Sequence, residues 1–206
     1  FANLGAHATV EQAKRAVDMI EANALQIHLN VAQEMFMPEG DRDFSGYLAN
    51  IEAIAAALPV PVVVKEVGNG IAREQARQLA ELGVAAIDVA GSGGTNFIAI
   101  EAARDRYNLS ATELAWGIPT AISALEVASV LPPGVDLIIS GGIRSALDIV
   151  KALACGGRAV GMAAPVLKAI SQDGVEGAVA WFENLLFDVR RYMLLCGAAQ
   201  PDQLTA

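Results

Sequence analysis

Positive charge is scarce in this sequence. Fourteen Lys and Arg face 23 Asp and Glu, giving a net charge of −9. Such a chain is unsuited to general nucleic-acid or anionic-membrane binding, so an anionic ligand must be held by local donors or through a metal. Long hydrophobic runs are also absent. Hydrophobic residues make up 54% of the chain and charged residues 18%, but Gly, Pro and charge interrupt every run well before the about 18–20 apolar residues of a membrane span. That content builds a core instead. Cysteine is limited to Cys155 and Cys196, without metal-ligand spacing. Both are expected as buried small hydrophobes in a reducing, cytoplasmic setting. Low-complexity tracts, linkers and a secretory signal are likewise missing, so one domain is expected. The first residues, Phe1 to Gly5, already read as a strand, and the true start is expected upstream.

What is present is alternation. Short β-type runs are read at Phe1–Gly5, Leu25–Asn30, Val62–Val67, Ala86–Ala90, Leu114–Ile118, Leu137–Ser140 and Ala159–Ala163. Helix-type periodicity separates them, at Glu11–Glu21 behind the N-cap Thr9, then Ser45–Leu58, Ala72–Leu82, Ile122–Val130 and Ala146–Ala154, with a last helix over Gly174–Cys196. Repeated βα units imply a parallel sheet covered by helices. Seven units approach the eight of a (β/α)8 TIM barrel, here lacking its N-terminal segment and first strand. Such barrels carry their sites at the C-terminal strand ends, with phosphate held after strands seven and eight. A flavodoxin-like open sheet is the alternative, although seven units exceed its usual five.

The strand ends carry the chemistry. HLNVAQE, His28 to Glu34, places His28, Asn30, Gln33 and Glu34 where turn residues normally stand; they form a site or merely face water. The acidic loop Pro38–Phe44 follows. Lys65 lies inside an apolar strand and needs a partner if buried. It pairs with Glu34 or Asp88, or it faces a bound electron-poor ring or anion. Asp88 can orient a neighbouring strand-end group. The run Gly91-Ser92-Gly93-Gly94-Thr95-Asn96 allows an amide nest with hydroxyls from Ser92 and Thr95, or a plain turn. Trp116 packs in the barrel top or walls a site. Ser140-Gly141-Gly142-Ile143-Arg144 opens a helix, and Gly161-Met162-Ala163-Ala164-Pro165 follows the next strand. Together these two turns suit a shared phosphate cradle, in which Arg144 is a phosphate partner or a surface charge.

In this order, HLNVAQE, PEGDRDF, VVVKEVG, AIDVAGSGGTNF, WGIPT, SGGIR and GMAAP resemble the type 2 isopentenyl-diphosphate isomerases, an FMN-dependent family of isoprenoid synthesis. The resemblance covers most of the chain. GGIR is shared with other flavin and phosphate barrels; the HLNVAQE, PEGDRDF, KEVG and GGTNF set is specific. It implies FMN at the barrel mouth, contacted by Asn3, Lys65, Ser92 and Thr95, with its phosphate on Gly141, Gly142, Ile143, Arg144, Ala163 and Ala164. It implies His28, Asn30 and Gln33 at the substrate, with His28 and Gln33 catalytic, and Glu34 as the Mg2+ ligand. NADPH as reductant, a diphosphate substrate and a homo-tetramer or octamer complete the expectation. His7 and Ala164 depart from the family's usual Gln and Gly. Another FMN barrel, such as a 2-hydroxy-acid oxidase, would need a late histidine, and both histidines here are early. A non-catalytic flavin or phosphate binder has no use for Gln33 and Glu34.

Overall fold

The computed structural model describes residues 1–105 and 108–205. Six strands, β1 (Ala2–Gly5), β2 (Leu25–Leu29), β3 (Val62–Glu66), β4 (Ala86–Asp88), β5 (Asp136–Ile139) and β6 (Ala159–Val160), form one parallel sheet in sequential order. The helices between them are α1 (Val10–Met19), α2 (Val31–Phe36), α3 (Tyr47–Ala57), α4 (Arg73–Ala80), α5 (Phe97–Asp105), α6 (Ala111–Leu114), α7 (Thr120–Ala128) and α8 (Ala146–Ala154), and α9 (Ala164–Leu195) follows β6. Among the described residues no helix is long and apolar enough to cross a membrane.

Strand periodicity separates two faces. Leu25, Ile27, Val62, Val64, Ile87, Val89, Leu137 and Ile139 are buried in one core with Ala13 and Val17 of α1, Ile51 and Ile54 of α3, Leu79 of α4 and Val127 of α7. Each fully buried aliphatic side chain stabilises by about 1.5–3 kcal/mol, so a one-residue register slip, which would turn this whole set over, is strongly disfavoured. The intervening positions occupy the other face. There the ladder aligns Gly5 with His28, His28 with Lys65, Lys65 with Asp88, and Asp88 with Ile138. Apart from Glu66, the polar residues of the strands therefore share the face away from the helices.

The expected strand at Leu114–Ile118 is not one. A capping box starts α6 in its place: Ser110 Oγ accepts from the Glu113 amide at 3.3 Å, and Glu113 Oε2 accepts from the Ser110 amide at 2.8 Å. Gly117, at φ 128°, and Pro119, which has no N–H, then prevent a ladder. What survives is a strap. Ile118 N donates to Asn69 O at 2.8 Å, Ser92 N donates to Ile118 O at 2.9 Å, and Ser92 bridges Pro119. β4 instead pairs directly with β5. The six strands among the described residues are two short of the eight that close a barrel.

The last helix begins ten residues earlier than its periodicity suggests. α9 opens at Ala164 and is interrupted at Gly174 (φ 67°, ψ −167°), where the expected helix began. Trp116 is 67% exposed, which excludes a core role. Cys155 is half-buried but Cys196 is exposed, contrary to the expectation that both are interior; both are free thiols.

Candidate active site at the strand ends

The first group is a polar row. Asn3 Nδ2 donates to Gln26 Oε1 at 3.3 Å, and His28 Nδ1 lies 2.8 Å from Asn3 Oδ1. A carbonyl oxygen only accepts, so Nδ1 carries the proton and His28 Nε2 is left as an acceptor in the neutral ring. Burial holds the His28 imidazole below its ordinary range, helped by Lys65 and His7 and opposed by Glu34. Lys65 pairs with neither Glu34 nor Asp88 among the described residues; its Nζ donates to the Glu66 carbonyl. The ion-pair reading of Lys65 is therefore set aside. The Glu66 side chain turns to the helix side, where its Oε2 accepts from three successive amides, Val67 at 2.7 Å, Gly68 at 3.1 Å and Asn69 at 2.7 Å. That carboxylate shapes the loop after β3.

The second group stands on α2 and the acidic loop. Asn30 Nδ2 donates to Glu34 Oε1 at 2.6 Å, and the Asp41 amide donates to Glu34 Oε2 at 2.9 Å. Asn30 Oδ1 is buried without a partner among the described residues. Arg42 laces the loop together, donating to the carbonyls of Glu34 at 2.6 Å, Gly40 at 2.7 Å and Met37 at 2.8 Å. Gly40 is required here, because a Cβ would lie 2.0 Å from Glu34 O. Gln33 turns toward α5, donating to Glu101 Oε1 at 2.7 Å. Glu101, 4% exposed, also pairs with Arg104 at 3.1 Å, and Arg104 reaches Glu39 of the acidic loop. Sequence reading missed Glu101. Its signal was an acid one turn inside an otherwise apolar helix face, directly after the glycine-rich loop.

The third group is a pair of glycine turns. A Cβ on Gly94 would lie 2.8 Å from Gly142 N, one on Gly142 would lie 2.7 Å from Gly93 C, and one on Gly141 would lie 2.3 Å from Gly91 O. Backbone thus packs on backbone, which only glycine permits. Arg144 locks the pair, its Nη2 donating to Gly93 O at 2.7 Å and its Nη1 to Gly142 O at 3.1 Å. Thr120 Oγ1 adds a bond to Gly141 O at 2.7 Å. The Thr95 carbonyl abuts Gly68, where a Cβ would come within 2.6 Å.

The α8 N-terminus differs from expectation. Asp148 Oδ2 already accepts from the amides of Arg144 at 3.1 Å and Ser145 at 3.0 Å. The Arg144 amide is therefore occupied. The amides of Gly142 and Ile143, and that of Ala163 before α9, donate to nothing among the described residues. The two turns lie close, since a Cβ on Gly161 would come 2.7 Å from Ser140 Cβ. The structure thus brings Asn3, His28 and Lys65 into one row, joins Asn30 to Glu34, and packs the loops of Ser92, Thr95 and Gly141–Arg144 together. It directs Gln33 away to Glu101.

Sequential parallel strands, outer helices, and polar groups and free amides gathered at the C-terminal strand ends define an α/β protein of the barrel type with its ligand site at the mouth. The fold agrees with solved mandelate oxidases: one matches with a TM-score of 0.69 at 24% identity, covering 95% of this chain and 58% of that one. Another, with (S)-2-phenylpropionate, gives 0.64 at 22% identity over 95% and 65%. The chain belongs to the FMN-dependent dehydrogenase family, whose sequence profile matches residues 5–206. Among curated proteins it is similar to the isopentenyl-diphosphate delta-isomerases of Geobacillus sp. (strain WCH70), 55% identical over 99% of this chain and 58% of that protein, and of Streptomyces sp. (strain CL190), 46% identical over 100% and 56%. That of Symbiobacterium thermophilum is 51% identical over 96% and 55%. The chain spans a little over half the length of these relatives.

Proposed function

We propose that this chain carries the cofactor and metal side of an isopentenyl-diphosphate delta-isomerase, interconverting isopentenyl and dimethylallyl diphosphate in isoprenoid biosynthesis. The supporting observation is 46–55% identity to such isomerases over nearly the whole chain, together with a polar strand end at His28–Glu34 that a mere phosphate binder would not need.

The residues fit FMN. The free amides of Gly142, Ile143 and Ala163 form a neutral phosphate cradle beside Gly141 and Ala164, locked by Arg144. Asn3, Lys65, Ser92 and Thr95 would line the ring and its linker, with the Lys65 ammonium favouring an anionic reduced flavin. FMN, kept reduced by NADPH, would supply an electron-rich face that stabilises positive charge on the substrate without net redox change.

The residues fit Mg2+ only as a one-carboxylate site. No group of three or more His, Cys, Asp or Glu suited to a metal occurs among the described residues. Mg2+ commonly binds through one or two carboxylates plus phosphate oxygens and water, which suits Glu34 with a diphosphate. The orphaned Asn30 Oδ1 beside it offers a further acceptor to a bound water or cation. Gln33, its nitrogen held by Glu101, would have to swing back from α5 to reach the substrate, whereas neutral His28 offers Nε2 where it stands. In the forward direction one proton joins the terminal methylene carbon and one leaves C2. The enzyme would act in the cytoplasm as a homo-oligomer.

The test is anaerobic incubation with FMN, NADPH, Mg2+ and isopentenyl diphosphate in deuterated water, followed by NMR. Dimethylallyl diphosphate with deuterium at the new methyl is expected. A flavin-loaded, reduced protein that yields none would sink the proposal. The family and its fold neighbours also suggest oxidation of a 2-hydroxy acid. The histidines, only at positions 7 and 28, oppose that, and flavin reduction by mandelate would favour it.

A further inference from the structure

Asp88 is the most deeply buried carboxylate of the described residues, at 3% exposure, and the reaction above does not use it. Its place is unusual. A single oxygen, Oδ1, accepts from the Ser140 hydroxyl at 2.7 Å and from the Ala90 amide at 3.2 Å. Each donor stands directly before one of the paired glycine turns. Ser140 leads into Gly141 and Gly142. Ala90 leads into Gly91–Gly94, and it holds φ 34°, a left-handed backbone that a non-glycine residue adopts only when its surroundings impose it. The ladder also places Asp88 beside Lys65 of β3 and Ile138 of β5 on the face away from the helices. Burial raises the Asp88 carboxyl, while the Ser140 hydroxyl, Lys65 and the Ala90 amide favour its charged form.

Core stability alone does not call for this residue. An unpaired buried carboxylate costs several kcal/mol unless hydrogen bonds and charge offset it, whereas an apolar side chain would fill the strand at no such cost. The arrangement makes sense as a clamp. One anion fixes the entry to both turns and also faces the only cation in its row.

We propose that Asp88 is a positioning residue for the FMN site: it holds the Gly91–Gly94 loop against the Gly141–Gly142 turn, whose free amides would serve the phosphate, and its charge offsets that of Lys65 on the same face of the sheet. This rests on the flavin reading above, so the test separates the two. Dissociation constants for FMN and for riboflavin, which lacks the phosphate, are measured on the wild-type chain and on Asp88→Ala, Asp88→Asn and Ser140→Ala, with the reduction potential of each flavin-loaded protein. Loss of a hydrogen bond to a buried charged group corresponds to a loss of roughly tenfold or more. Asp88→Ala and Ser140→Ala should each weaken FMN binding about tenfold while changing riboflavin little, and the double variant should be no worse than Asp88→Ala. Asp88→Asn keeps an oxygen for Ser140 and Ala90. It should retain most FMN affinity yet shift the potential positive, because unopposed Lys65 favours the anionic reduced ring. An unchanged FMN-to-riboflavin ratio in both Ser140→Ala and Asp88→Ala, or an unmoved potential in Asp88→Asn, would overturn the inference. Should Asp88→Ala not fold, Ser140→Ala decides the clamp and Asp88→Asn the charge. A wild-type chain that does not prefer FMN to riboflavin overturns the flavin reading instead.

Discussion

Asn30 and Glu34 are joined at 2.6 Å across the first turn of α2, and the bond leaves Asn30 Oδ1 buried with nothing to accept from among the described residues. Asn30 therefore fixes the carboxylate and has acceptor capacity in reserve. Glu34→Gln should abolish the Mg2+ dependence of substrate binding while flavin stays bound. Asn30→Ala should weaken the metal-dependent affinity by about 10–100-fold, the usual effect of removing a group that orients a metal ligand. Isothermal titration with Mg2+ and diphosphate reads both; loss of flavin in Glu34→Gln would make Glu34 structural.

Gly40 leaves no room for a methyl group against Glu34 O. Gly40→Ala should push the acidic loop off α2, costing about 1–3 kcal/mol of stability and raising KM for the diphosphate more than it lowers kcat. Unfolding midpoints and steady-state kinetics equal to wild type would show that the loop yields freely.

Glu66 gives a pH signature. Burial raises its carboxyl more than the three amide bonds lower it. The folded chain thus holds this proton more tightly than the unfolded one. The resulting stabilisation is complete below the ordinary glutamate range and is lost as pH rises through the raised value. Glu66→Gln removes that component. Denaturant titrations from acid to neutral pH should show wild type losing ground to the variant as pH rises; parallel curves would refute the burial account.

His28 has the opposite sign. Its depressed imidazole contributes stability above the ordinary histidine range, lost as pH falls through the folded value. The chain has two histidines, so NMR can follow His28 alone once assigned. Its midpoint should lie below the usual 6.5 or so, and Lys65→Ala should raise it. No movement in that variant would mean that Lys65 takes no part in the shift.

Arg144 bonds two carbonyls in two loops. Arg144→Ala should loosen the glycine pair and weaken FMN about tenfold, and Arg144→Lys should rescue only in part, because an ammonium lacks the planar fork. Full rescue by lysine would assign Arg144 a purely charge-based role.

Much of this was legible in the chain. The short apolar runs VVVK and AAID marked the strands, and the charge closing each marked the positions at which Lys65 and Asp88 align. The capping pair Ser145 and Asp148 was equally local, yet its consequence, occupied amides at α8, was overlooked because a glycine turn before a helix suggests free donors. Leu114–Ile118 misled because a five-residue apolar run has no periodicity to separate strand from helix, and the Ser110–Glu113 capping box decided it. The side-chain partners were not legible. That Gln33 turns to Glu101, or that Asp88 serves two turns, depends on elements distant in sequence meeting in the fold.

The occupied α8 N-terminus has one more consequence. With Asp148 already there, an anion in the adjoining cradle is recognised by the directions of neutral N–H groups rather than by a pool of positive charge. Such recognition is governed by shape. On the proposed flavin reading, such a cradle would stay largely indifferent to ionic strength, would favour a tetrahedral terminal phosphate, and would let a chain of net charge −9 repel unrelated polyanions while keeping one of its own.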